Sequence, residues 1–117
     1  MKDETNKLIK ELSIKNKIYS KTQIVFTPYC IKKMFERGVE ENLVISTLLY
    51  SGEMYYAEKQ EIIYQKKPEI RYKQIHKISS RYSLIIIVSY MEKVLKVINV
   101  IKTSKGAEKL WRKKALK

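Results

Sequence analysis

Two apolar runs in the second half of the chain constrain its fold more than any other feature. They are RYSLIIIVSY at residues 81–90 and VLKVINVIKT at residues 94–103. Each run is apolar at odd and even positions alike, which is typical of a strand buried on both faces. Only Met91, Glu92 and Lys93 separate the runs, so the chain must turn tightly between them. The sequence therefore predicts a sheet in which 81–90 is a central strand.

Three other segments have the composition or the alternation of strands. QIVFT at 23–27 is short and β-branched, while EIIYQ at 61–65 and EIRYKQIHKI at 69–78 alternate between apolar and polar residues. The pair Lys67–Pro68 predicts a break between the last two, because proline cannot donate a hydrogen bond to a strand ladder. Together with the two apolar runs, these segments predict a sheet of about four to five strands.

The segment TPYCIKKMFERG predicts a capped helix. Thr27 is a preferred N-cap residue, Pro28 suits the first helical position, and Gly38 suits a left-handed C-cap. Helical spacing predicts that its buried stripe consists of Ile31, Met34 and Phe35.

A second helix follows almost at once and predicts a tight αα-hairpin. Glu40 and Glu41 suit its first turn, and Ser51–Gly52 ends it. Its inward residues are predicted to be Val44, Leu48 and Leu49.

Further helices are predicted at both ends of the chain. Residues 3–18 carry a thin apolar stripe among many charges, and a basic helix follows Ser104 as its cap. The apolar residues of these two helices are Leu8, Ile9 and Leu12, and Leu110, Trp111 and Leu116.

The order of these elements predicts the fold class. Helices followed by a group of strands are typical of an α+β fold, in which an antiparallel sheet packs against the αα-hairpin. A length of 117 residues fits a single domain over 1–117. Within it we distinguish an N-terminal amphipathic helix (1–20), a core (22–103) and a basic C-terminal helix (104–117).

The charge of the chain limits the classes of partner that it is expected to bind. Lys and Arg number 25 against 12 Asp and Glu, a formal net charge of +13, which favours a polyanion such as nucleic acid. Cys30 is the single cysteine and His76 the single histidine, and no acidic pair has the spacing of a metal site, so we expect neither a metal nor another cofactor. Without an apolar leader or membrane segment, the chain is expected to be cytoplasmic.

A family resemblance is carried by FTPYCIKKMFERGVEENLVISTLLYSGE, by the pair RY at 71–72 and by LKVINVIK. These segments resemble a widespread family of small microbial domains of unknown function that is similar to the RelE/barnase-like toxin superfamily. The resemblance covers residues 24–103. Arg37 and the pair Arg71–Tyr72 match its pattern, whereas Tyr29 stands where that family usually has a histidine.

The resemblance implies a RelE-like ribonuclease or toxin that cleaves free or ribosome-bound RNA and is held in check by an acidic antitoxin. Metal-free transesterification needs an acid, a base and cations around the phosphate, which RelE-like enzymes supply from Arg, Lys and Tyr. Alternation along 69–78 places Tyr72, Gln74 and His76 on one face, with Arg71 and Lys73 on the other. The candidate catalytic residues are Arg71, Tyr72, His76 and Arg37. The candidate nucleic-acid-binding residues are Lys73, Arg81, Tyr90, Lys102, Lys109, Arg112 and Lys113.

Each candidate also has a purely structural interpretation. His76 can be a hydrogen-bonded structural histidine, and the two tyrosines can be ordinary half-buried strand residues. Arg71 can pair with Glu61 or Glu69, and Arg37 can bind the last carbonyl groups of its own helix. Cys30 is expected to be buried. The lysines of the tail can form a solvated face, or lie on a membrane surface.

These interpretations leave a second function open. The same fold, with tyrosine in place of the family's histidine, can be a non-catalytic module that binds nucleic acid or another protein through its basic surface.

Overall fold

A computed structural model describes residues 2–50 and 53–104 of the chain. Its elements are α1 (Lys2–Asn16), a 3₁₀ turn (Lys21–Gln23), β1 (Ile24–Phe26), α2 (Pro28–Arg37), α3 (Glu41–Leu49), β2 (Met54–Tyr64), β3 (Lys67–Lys77), β4 (Tyr82–Tyr90) and β5 (Leu95–Ser104). The predicted α+β class is confirmed. None of the helices in these ranges is long and apolar enough to cross a membrane.

The five strands form one sheet in the order β1-β5-β4-β3-β2. Neighbouring strands from β2 to β5 are antiparallel, and only the short β1 runs parallel to its neighbour β5. The predicted central strand is the third of the five, since β4 pairs with β3 on one side and with β5 on the other. Its residues 83–86 are all buried, as expected for a strand covered on both faces.

The turn between β2 and β3 differs from the prediction. β2 is 11 residues long, and the chain reverses at Gln65–Lys66, both of which have positive φ angles of 49° and 65°. This is the twist that a two-residue hairpin requires. Pro68 lies inside β3 opposite Ile63, and β4 pairs with β3 only from Tyr72 onwards. A proline is tolerated there because its nitrogen faces away from any ladder.

The caps of α2 are confirmed, but of the three residues predicted for its buried stripe only Met34 is buried. The Thr27 side chain accepts a hydrogen bond from the Cys30 N–H (3.1 Å), and Gly38 is left-handed at φ 69° and ψ 33°. Cys30 and Met34 are buried, whereas Ile31 and Phe35 are 48% and 87% exposed. The stripe that meets the sheet runs through Cys30, Met34 and Arg37, at helical spacing, because α2 packs along β5.

The helices share a core with one face of the sheet, here called the helix face. α2 and α3 are separated only by Gly38, Val39 and Glu40, and α3 buries Val44, Leu48 and Leu49 as predicted. α1 packs on β2 through Leu12, with Leu8 and Ile9 partly buried beside it. The strand residues of the main core are Ile24, Leu84, Ile86, Val88, Leu95, Val97 and Val100. They alternate along β4, whereas in β5 a register shift opposite Ile87 and Val88 puts Val100 three residues after Val97.

The remaining strand positions form the opposite face of the sheet. Ile75 and Ile85 are buried there at the centre, so the central strands are apolar on both sides, as their sequence predicted. Ser104 is the last residue of β5 and the last of the described residues. The predicted tail helix, with Lys109, Arg112 and Lys113, lies outside them.

Candidate functional site

The four candidate catalytic residues lie in three separate places. Tyr72 and His76 point to the helix face of β3, and Arg71 points to the opposite face, as the alternation predicted. Arg37 lies at the end of α2, beside β5, which is two strands away from β3. The described structure therefore does not bring these side chains together around one phosphate.

His76 is enclosed in a polar network beneath α1. Its side chain is 2% exposed, and its Nε2 lies 2.8 Å from Gln74 Oε1, which also accepts a hydrogen bond from Asn16 Nδ2 (2.8 Å). His76 Nδ1 is buried without a hydrogen-bond partner among the described residues. Burial lowers the pKa of His76 to about 4, because the charged imidazolium would lose its solvation. His76 is thus a neutral, structural histidine at pH 7.

Tyr72 and Tyr90 belong to the same buried cluster. Their ring centroids are 5.5 Å apart in an edge-to-face arrangement, and Lys15 Nζ lies 5.2 Å from the Tyr90 centroid. The Tyr90 hydroxyl donates to Asn16 Oδ1 and accepts from Gln74 Nε2. Burial raises the pKa of Tyr90. The helix α1 covers this pair, so neither ring is presented to a ligand as an open stacking surface.

The cations on the opposite face are neutralised by carboxylates. Arg71 Nη2 lies 2.9 Å from Glu69, and Lys96 Nζ lies 3.3 Å from the same carboxylate. The hydrogen bond from Arg71 is the main reason why the pKa of Glu69 is lowered. Lys73, predicted to bind nucleic acid, is 4% exposed and lies 3.3 Å from Glu58. Of the two carboxylates considered for Arg71 from sequence, Glu69 is the one that pairs with it.

Arg37 closes an edge of the sheet. β1 pairs with β5 only from Leu95 to Val97, and beyond that point the Arg37 Nη1 donates to the Val100 carbonyl (2.7 Å) and to Asn99 Oδ1 (2.8 Å). The arginine therefore satisfies a strand carbonyl that β1 is too short to reach. Both of these acceptors lie on β5, and neither is a carbonyl group in the last turn of its own helix.

Cations that form no ion pair with a described carboxylate lie at and beside the turn between β3 and β4, residues 78–81. Ser79 fixes this turn: its Oγ accepts hydrogen bonds from the N–H groups of Arg81 (3.2 Å) and Tyr82 (3.0 Å). The Tyr82 carbonyl accepts in return from the N–H groups of Ile78 (3.1 Å) and Ser79 (3.2 Å). The bonds hold the backbone of the turn and leave the Ser80 and Arg81 side chains exposed.

Two clefts flank this turn, and we call them the turn clefts. The larger, of about 470 Å³, lies towards α3, and the smaller, of about 320 Å³, lies towards β2. Both are lined by Lys77, Ser79 and Ser80. The smaller is also lined by Tyr55, Arg81, Tyr82 and Ser83, and the larger by Leu43, Ser46, Thr47, Glu53 and Ile78.

Aromatic and hydroxyl groups complete the smaller cleft. The Tyr55 hydroxyl lies 2.7 Å from Ser83 Oγ, which holds the Tyr55 side chain against β4. Lys102 Nζ lies 4.6 Å from the centroid of the Tyr82 ring. Within residues 2–50 and 53–104, no carboxylate forms an ion pair with Lys77, Arg81 or Lys102, all of which are exposed. The cations at the turn thus differ from the paired cations on the opposite face.

Sequence reasoning found part of this site. Arg81 and Lys102 were predicted to bind nucleic acid; Arg81 lines the smaller cleft and Lys102 lies over the ring of Tyr82, which also lines it, but Lys77, Tyr55 and the two serines were missed. The available signal was the polar, basic segment KISSRY between two strands, which marks a turn rich in hydroxyl and cationic groups. The contribution of Tyr55 could not be predicted, because a bulge between Met54 and Tyr56 changes the register of β2.

Other chemistry has less support in the described part of the chain. Burial raises the pKa of the Cys30 thiol to about 11, so Cys30 is protonated at pH 7. No group of three His, Cys, Asp or Glu side chains in the described ranges is arranged to hold a metal ion. In comparisons with known proteins, no family model, curated protein or solved structure matches the chain.

Proposed function

We propose that the protein binds nucleic acid, and single-stranded RNA in particular, at the turn clefts. The observation that carries the proposal is the contrast in pairing between two groups of cations. Glutamates neutralise Arg71, Lys73 and Lys96, whereas Lys77 and Arg81 at the turn face solvent without an ion pair to a described residue. An unpaired cation gains most from a phosphate group.

The chemistry of the clefts suits a single strand. Lys77, Arg81 and Lys102 can contact successive phosphates, and the hydroxyl of Ser80 can donate to a phosphate oxygen. Tyr82 is 42% exposed beside them, and a base can stack on its ring at the face that Lys102 does not cover. The net charge of +13 adds a long-range attraction for any polyanion.

The fold is proposed to be RelE-like. The supporting observation is the order β1–α2–α3–β2–β3–β4–β5, in which two consecutive helices separate a short edge strand from an antiparallel set of four. On this proposal, the acidic antitoxin implied by the resemblance would compete with RNA for the same cations.

Ribonuclease activity is a second candidate function, favoured by the grouping of Tyr55, Lys77 and Arg81 in one cleft. These are the residue types with which RelE-like enzymes exchange protons and stabilise the phosphate. The cleft, rather than the set Arg71, Tyr72, His76 and Arg37, is the place where a substrate could meet them together.

Fluorescence anisotropy with a labelled single-stranded RNA tests the binding proposal. The variant Lys77→Ala/Arg81→Ala/Lys102→Ala should bind at least about tenfold more weakly at low salt and should lose about 2 units of slope in log K against log salt, since three phosphate contacts disappear. The matched control removes three exposed lysines elsewhere, Lys7, Lys32 and Lys93. Equal losses in both variants, or no RNA binding at low salt, would refute a site at the turn.

The same samples test cleavage. Gel analysis of the RNA after incubation, with and without ribosomes, should show shortened products for the wild-type protein if the cleft is catalytic. Tyr55→Phe should then abolish cleavage and retain binding. Intact RNA in the presence of measurable binding would reject the ribonuclease and retain the binding module.

A further inference from the structure

The two edges of the sheet are treated differently by the rest of the chain. Along β5, the Thr27 N–H donates to Val97 (3.0 Å), and Arg37 donates to Val100 (2.7 Å), so this edge is covered. Along β2, the backbone of residues 57–63 has no hydrogen-bond partner among the described residues except β3. An edge of this length is a template for another strand.

The hairpin geometry identifies the outward backbone groups of β2. A two-residue turn is flanked by a hydrogen-bonded pair, here Tyr64 and Lys67, and hydrogen-bonded pairs then recur at every second residue. Even-numbered residues of β2 therefore bond to β3. The N–H and C=O groups that point outward belong to Ala57, Lys59, Glu61 and Ile63, and since Ala57 is buried against Leu12 of α1, the accessible edge begins beyond it.

Symmetry restricts how this edge could meet a second copy of itself. In an antiparallel pair, opposite residues point to the same face of the sheet, so odd-numbered residues of one β2 lie opposite odd-numbered residues of the other. The two-fold axis therefore passes between one residue and the same residue of the second copy. Centres at Glu58, Lys59 or Glu61 would each place like charges opposite each other, which is destabilising. A centre at Gln60 places Lys59 opposite Glu61 twice.

We propose that β2 is a dimerisation edge, which pairs antiparallel with β2 of a second copy about Gln60 and joins the two sheets. Lys59 and Glu61 are both exposed and make no ion pair with a described residue, so each is available to the other copy. Pairing about Gln60 involves residues 58–62, because Ala57 is 4% exposed and packs against Leu12 of α1, so it is not open to Ile63 of the second copy. This inference is independent of nucleic-acid binding, since Tyr55 is the β2 residue that lines a turn cleft and it lies outside the paired segment.

Sedimentation velocity over a range of protein concentrations tests whether the protein dimerises through β2. The wild-type protein should approach twice the 13.9 kDa mass of one chain as its concentration rises. Lys59→Glu and Glu61→Lys should each weaken the dimer by about tenfold or more, because both opposite-charge pairs become like-charge pairs. The double variant Lys59→Glu/Glu61→Lys should restore it, and Lys66→Glu at the hairpin tip should have a much smaller effect than Lys59→Glu.

Cross-linking tests the register. In a dimer centred on Gln60, its Cα should lie about 4.5 Å from its counterpart, within the range that a disulfide spans. Gln60→Cys should therefore form a covalent dimer on mild oxidation, while Lys66→Cys should not; the native Cys30 is buried. The proposal would be overturned if the wild-type protein stayed monomeric, if the double variant did not restore the dimer, or if both positions cross-linked equally. A monomeric wild-type protein would leave this edge to a strand of a different protein.

Discussion

Asn16 and Gln74 join the end of α1 to the middle of the sheet by a reciprocal amide pair. Asn16 Nδ2 donates to Gln74 Oε1 (2.8 Å), and Gln74 Nε2 donates to Asn16 Oδ1 (3.3 Å). The two residues are 58 positions apart and both are buried. A buried amide that is fully bonded accepts only one geometry, so this pair fixes where α1 crosses the sheet and hence what it covers.

Removing this pair should destabilise the fold. Asn16→Ala deletes the acceptor of the Tyr90 hydroxyl and one donor to Gln74, and we expect a loss of about 1–3 kcal/mol in the free energy of unfolding. Urea denaturation measures it. Asn6→Ala, at an exposed position of the same helix, is the matched control and should change stability by less than about 0.5 kcal/mol.

Stability should fall between about pH 6.5 and pH 4 because of His76. Its pKa is lowered from 6.5 to about 4 in the folded protein, so the unfolded chain binds more protons in this window. The stabilisation is fully present above the upper limit and lost on acidification, by a few kcal/mol in total. In denaturation curves at several pH values, His76→Gln should remove this dependence. An unchanged slope would show that other groups cause it.

Arg37 should matter for stability and not for binding RNA. Arg37→Ala leaves the Val100 carbonyl without its donor, and we expect a loss of about 1–3 kcal/mol in thermal or urea unfolding. Lys32→Ala, on an exposed part of α2, should have little effect. The affinity for RNA should stay close to that of wild type. A stable Arg37→Ala protein with lost RNA cleavage would instead support the catalytic role predicted from the resemblance.

Met34 and Phe35 offer a comparison between adjacent residues. Met34→Ala should cost about 2–5 kcal/mol, because it opens a cavity where α2 meets β5. Phe35→Ala should cost less than about 1 kcal/mol, since the ring is 87% exposed. Urea denaturation of both variants distinguishes the observed face of α2 from the predicted one, for which Phe35→Ala would be severely destabilising.

Much of the fold could be predicted because its causes are local. Thr27, Pro28 and Gly38 act through backbone geometry within one helix, and their predicted roles are confirmed. The alternation of Tyr72 and His76 against Arg71 follows from the pleat of one strand, and it is also confirmed. By contrast, the stripe of α2 depends on which side of the helix meets β5, which periodicity alone cannot specify when Ile31, Met34 and Phe35 all fit.

The sequence by itself determined the α+β class, the central strand, the helix caps and the positive charge, because each follows from short-range spacing or from composition. Only the tertiary structure decided which residues are available to a ligand. It placed α1 over Tyr72, Tyr90 and His76, paired Arg71 with Glu69, and left the cations of the turn at residues 78–81 exposed. Burial and pairing arise from contacts between residues far apart in the chain, so the candidate site could be located only once the strands and α1 were in place.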